Sequence, residues 1–123
     1  MKDQSSLGTN AAAAKPVYTR RYPRFAIDLR VQVKMFQGGQ YLSCWGHSTE
    51  IGYDGMGATL TGELESGEIV SLEIPLPLSP YPLKVRAIVR YRKGLHYGFE
   101  FLTMTPSQRD TVRRVCEMLA TRT

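Results

Sequence analysis

The sequence predicts a mainly β fold: a split antiparallel barrel of six strands followed by one C-terminal α-helix. Three observations predict it. Apolar and polar residues alternate with a period of two over Ala26 to Met35 and again over Leu83 to Tyr91. Glycine- or proline-rich punctuation separates the short apolar runs at near-regular intervals. After Thr105 the period changes from that of a strand to that of a helix. Closing short strands into a barrel removes the edges that an open sheet would expose.

The elements follow in order. Residues 1–16 include Ala11 to Ala14 but no apolar stretch of signal-peptide or membrane-spanning length, so they read as a flexible tail on an intracellular, cytoplasmic protein. Residues 17–122 form one folded unit, since a chain of 123 residues has material for one core. Tyr18-Thr19-Arg20-Arg21-Tyr22-Pro23-Arg24-Phe25 is an extended strap: Pro23 excludes helical geometry at Tyr22 and lacks a backbone donor. The first strand places Ile27, Leu29, Val31, Val33 and Met35 on one face and Asp28, Arg30, Gln32 and Lys34 on the other. Gln37-Gly38-Gly39-Gln40 turns the chain into a second strand, Tyr41 to Ile51.

Gly52-Tyr53-Asp54-Gly55-Met56-Gly57 is a glycine-rich corner, needing either positive φ or close backbone approach, before a short third strand at Ala58 to Thr61. Ile69 to Ile74 is a fourth strand, ended by Pro75, Pro77, Pro80 and Pro82. Leu83 to Tyr91 is the fifth and Leu95 to Phe101 the sixth, with Lys93-Gly94 between them. Thr105 as N-cap, Pro106 at the first helical position and Gln108 at capping-box spacing open a helix whose apolar face is Val112, Val115, Cys116 and Leu119.

Composition narrows the function. A net charge of +5 favours an anionic partner. Cys44 and Cys116 are far apart and in no metal-ligand spacing, so they read as reduced thiols; no metal site or cofactor is expected. His47 and His96 lack a carboxylate or nucleophile at a recognisable spacing, so no catalytic residue is expected and the chain does not read as an enzyme. The aromatic residues Phe36, Tyr41, Trp45 and Tyr53 suit either base stacking or cross-strand packing. Arg86, Arg90 and Arg92 read as a solvated face.

The informative pattern is Arg20-x-x-x-Arg24, with Arg21 between, on the strap. Guanidinium groups present planar paired donors that match phosphate oxygens or the O6 and N7 edge of guanine. By itself the spacing also fits a solvated basic patch. A second element stands at the end of the second strand: Glu50-Ile51-Gly52-Tyr53-Asp54-Gly55. Glu50 fits a surface strand residue as well as a ligand acceptor, and Asp54 reads as a turn residue whose carboxylate could replace a missing polar group.

Strap, glycine corner, further strands, Gly98-Phe99-Glu100-Phe101 and closing helix together resemble a PilZ domain over roughly Tyr18 to Leu119. The resemblance implies binding of the bacterial second messenger cyclic diguanylate by an R-x-x-x-R strap and a (D/N)-x-S-x-x-G corner. It assigns Arg20 and Arg24 to guanine edges and phosphates, with Arg21 assisting. Glu50 stands where the family has Asp or Asn, Gly52 where it has Ser, and Gly55 at the final Gly. Glu50 keeps the acceptor with one more methylene, whereas Gly52 lacks the hydroxyl. The implied role is a sensor that passes the ligand signal to a downstream protein partner, in motility or biofilm regulation; no membrane insertion is expected, and single-stranded nucleic-acid binding by the barrel, suggested by charge and aromatics, is the less favoured reading. The alternative is a degenerate PilZ-like module that has lost the nucleotide and acts only in protein interaction.

Overall fold

The structure, a computed structural model, describes residues 22–122; the expected tail at residues 1–16 lies outside them. Seven strands and one helix follow in the order β1 (Phe25–Ala26), β2 (Arg30–Gln37), β3 (Gln40–Ile51), β4 (Gly55–Leu60), β5 (Ile69–Ile74), β6 (Leu83–Lys93), β7 (His96–Thr103) and α1 (Pro106–Ala120). All pairings are antiparallel, in the order β1-β3-β2-β5-β6-β7-β4. An additional β3–β4 pairing joins the two ends, giving a closed six-stranded barrel with β1 as an extra strand.

The alternation that predicts the strands is the alternation that fills the barrel. Val31, Val33, Leu72, Ile74, Val85, Val89 and Phe99 are buried in one core, and α1 adds Val112, Val115, Cys116 and Leu119 to it. Thr105 accepts from the backbone of Gln108, whose side chain accepts from the Thr105 backbone in return, and Pro106 opens the helix. The β2–β3 hairpin turns on Gly38 and Gly39, both at positive φ (58° and 78°), the two-residue geometry that matches strand twist and that glycine adopts without strain.

Two details differ from the sequence expectation. The first predicted strand is two, β1 and β2, because Ser48 intervenes at residues 27–29. Its hydroxyl donates to the Ile27 carbonyl (2.6 Å) and accepts from the Leu29 amide (2.8 Å), meeting groups that would otherwise pair across the ladder. Opposite this break, β3 carries a register shift between Ser48 and Glu50, after which Glu50 faces Ala26 and Gly57.

The glycine corner is also shorter than expected. β4 starts at Gly55, with Gly55 opposite Glu100 and Gly57 opposite Gly98. Neither has positive φ. A β-carbon on Gly55 would overlap the Phe99 carbonyl oxygen, so close approach of β4 to β7 is the reason for glycine there.

Candidate functional site

The strap from Tyr22 to Arg24, the β3–β4 corner and α1 meet at one end of the barrel. Pro23 keeps the chain extended into β1, and the shift at Ser48 and Glu50 places the end of β3 beside it. Across this junction lies Arg24. Its side chain is 6% exposed, an unusual position for a guanidinium without close partners. Nη1 is 3.7 Å from Oε2 of Glu50 and Nη2 is 3.7 Å from Oδ1 of Asp54, whose side chains are 24% and 23% exposed.

These are charge contacts, since 3.7 Å exceeds the roughly 3.2 Å of a hydrogen bond to nitrogen. Arg24 Nε and Asp54 Oδ1 are both buried without a hydrogen-bond partner. Burying a charged donor whose geometry is unmet costs free energy that the Coulomb attraction only partly offsets. Arg24 thus faces two carboxylates while its Nε donor has no acceptor.

Gly52 makes this placement possible. A β-carbon there would stand 2.7 Å from Cδ of Arg24 and 2.8 Å from the Pro23 carbonyl oxygen. The corner is closed by a hydrogen bond from the Gly52 amide to the Gly55 carbonyl (2.8 Å) and tied to β7 by one from Phe101 to the Asp54 carbonyl (2.8 Å). On the helix side, burial pushes the Cys116 thiol up to about 11, against the opposing pull of the Arg24 charge. On the other side, the rings of Tyr22 and Tyr53 lie 5.3 Å apart, tilted by 40°.

Of the six residues that the sequence singles out, the structure brings Arg24, Glu50 and Gly52 together, with Gly55 as a strand-pairing residue of the same corner. Arg20 and Arg21 lie outside the described residues. Asp54 is the residue undervalued by the sequence: read chiefly as a turn former, it is the second carboxylate on Arg24. No local pattern marks that pairing, because Arg24 and Asp54 come from separate segments of the chain that meet only on folding.

The other candidates fall elsewhere. His47 Nδ1 is 3.0 Å from Asp28 on the exposed barrel surface, and His96 Nε2 is 3.2 Å from the Thr49 hydroxyl. Trp45 is partly exposed beneath the Arg30 guanidinium, 4.4 Å from its ring centroid. The arginines of β6 differ from a uniform solvated face: Arg90 bonds Glu100 (2.5 Å), and Arg92 donates to the carbonyls of Gly94 (3.0 Å) and Leu64 (3.2 Å). Among the described residues no cluster of His, Cys, Asp or Glu could hold a metal ion, and no helix is long and apolar enough to cross a membrane.

A family profile described as PilZ domain matches residues 18–118. Solved structures share the fold. The PilZ domain with c-di-GMP of YcgR from Escherichia coli superposes with a TM-score of 0.63 at 18% identity, covering 85% of this chain and 94% of that one. Bacillus subtilis inhibitor of motility (MotI/DgrA) gives 0.62 at 20%, covering 88% of this chain and 55% of that one. The K. pneumonia MrkH–c-di-GMP complex gives 0.64 at 14%, covering 86% and 54%. The chain therefore spans about half the length of the last two proteins. No curated protein matches it.

Proposed function

The chain belongs to the PilZ domain family, and on that premise we propose that it binds cyclic diguanylate where its strap meets the β3–β4 corner. Arg20, Arg21 and Arg24 supply guanidinium donors to phosphates and guanine edges, and Glu50 accepts from guanine N–H groups. Gly52 leaves the space that Arg24 occupies, and Gly55 lets β4 pack closely on β7, which together shape the corner that the ligand meets. The observation that carries this reading is Arg24: a side chain almost wholly buried, beside two carboxylates, with an Nε that has no acceptor. A ligand oxygen would supply that acceptor. Solved relatives of the same fold that carry c-di-GMP support the choice of ligand.

The role is binding, not catalysis, exercised in the cytoplasm by the unit at residues 17–122. Ordering of the strap over the nucleotide changes the surface that a downstream protein partner reads, because the cost of ordering is met only when ligand is present. Regulation of motility or biofilm formation is the output consistent with relatives such as the inhibitor of motility.

A second reading has its own observation. Arg24 already stands between Glu50 and Asp54, and Gly52 gives the corner no hydroxyl, which suits a module that has lost the nucleotide and serves protein interaction. Isothermal titration with cyclic diguanylate decides between them. Saturable binding by the wild type that disappears in Arg24→Ala supports the sensor; absence of heat at ligand well above micromolar concentration leaves the interaction module.

A further inference from the structure

Beside the Arg24 junction lies a cavity of about 380 Å³, within the size range of small-molecule sites (about 300–1,000 Å³). Tyr22 of the strap, Tyr53 of the corner, and Pro106, Arg109, Asp110 and Arg113 of α1 line it. Its two walls are continuous with the proposed ligand site: Tyr53 precedes Asp54, one of the carboxylates on Arg24, and Tyr22 stands two residues before Arg24 itself.

The lining divides into an aromatic side and a charged side. The tilted rings of Tyr22 and Tyr53 offer π-faces against which a planar base can lie. On the helix, Arg113 is already neutralised, paired with Asp110 and, at 3.4 Å, with Glu117. Asp110 is shared further with Arg114 at 3.2 Å. Arg109 differs from both: its guanidinium is exposed and has no side-chain partner among the described residues, leaving a full set of planar donors at the mouth of the cavity.

We propose that this cleft takes one guanosine phosphate unit of the cyclic dinucleotide, with the base against Tyr22 and Tyr53 and a phosphate paired to Arg109. This rests on the proposed function and adds α1 to the binding site. The other half of the ligand then reaches Arg24 and Glu50 around the same corner. One ligand is gripped by strap, corner and helix together, and helix position becomes sensitive to occupancy.

The test is calorimetric titration of cyclic diguanylate into the full chain, comparing the wild type with Arg109→Ala, Arg109→Lys, Tyr53→Leu and, as a control, Arg86→Ala. Arg86 is an exposed arginine with no side-chain partner among the described residues, and it lies outside the cleft. Arg109→Ala is expected to weaken binding about tenfold or more, Arg109→Lys by less, and Arg86→Ala by no more than about twofold. The melting temperature of Arg109→Ala should match the wild type, since the side chain is exposed.

Binding by the wild type with Arg109→Ala and Arg86→Ala equally affected would overturn the cleft alone, because the arginine would then act only through net charge. Loss in Arg109→Ala with full affinity in Tyr53→Leu would overturn the stacking arrangement. A wild type that binds no cyclic diguanylate removes the proposed function and this inference together, a result distinct from either.

Discussion

Gly52 and Arg24 share one volume: a β-carbon on the first would come within 2.7 Å of Cδ of the second. The arginine can reach its two carboxylates only because residue 52 has no side chain. The glycine at this position is therefore coupled to where the Arg24 side chain lies.

Gly52→Ala is expected to destabilise the protein by about 1–3 kcal/mol, the usual cost of overpacking. The arginine can yield, but the Pro23 carbonyl at 2.8 Å is backbone and yields less. Urea unfolding measures the loss. The double variant Gly52→Ala with Arg24→Ala should fall short of the sum of the single effects, because one clash is removed by the second substitution.

Arg24→Lys separates charge from geometry. An ammonium can still sit between Glu50 and Asp54, so stability should stay within about 1 kcal/mol of the wild type. The planar donors are lost, and affinity for cyclic diguanylate should fall about tenfold or more. Equal affinity in the two proteins would show that Arg24 serves only to balance the corner carboxylates.

Ser48→Ala removes both side-chain hydrogen bonds from residue 48 to the break between β1 and β2, leaving the backbone bonds there in place. The Leu29 amide and Ile27 carbonyl are then left unmet in a part-buried position, at a cost of about 1–3 kcal/mol. Chemical denaturation reads the stability, and faster amide exchange at Leu29 than in the β2 residues Val31 and Val33 would localise the effect.

Cys116 gives a pH signature. Burial raises its thiol from 9.0 to about 11, so its contribution to stability is fully present below pH 9.0 and is lost as pH rises towards 11. The difference in unfolding free energy between the wild type and Cys116→Ala should therefore be constant at neutral pH and shrink across that alkaline window. A difference unchanged up to pH 11 would contradict the assigned environment.

The barrel and helix were legible in the sequence because burial repeats with a fixed period: every second residue of β2, β5 and β6, and the helical spacing of Val112, Val115, Cys116 and Leu119. Where side chains intrude on the ladder, periodicity is silent. The break at Ser48 leaves Ile27 and Leu29 in phase with Val31, so the pattern reads through it. Gly55 was legible as a special position but its purpose was not, since turning and close approach use the same residue type. For the site, the arginine spacing of the strap singled out Arg24, and the resemblance to a PilZ domain singled out Glu50 and Gly52. Asp54 as a partner of Arg24, and Arg109 of the adjoining cleft, depend on how distant segments pack, and no local pattern encodes that.

Closure of the barrel has a consequence for how the molecule loosens. Each strand of the ring has a neighbour on both sides, so releasing any one of them means breaking two ladders at once. β1 and α1 stand outside that ring, and they flank Arg24 and supply Arg109. Release of β1 breaks one ladder where release of any ring strand breaks two, so amide exchange in β1, next to Arg24, is expected to be faster than in the ring.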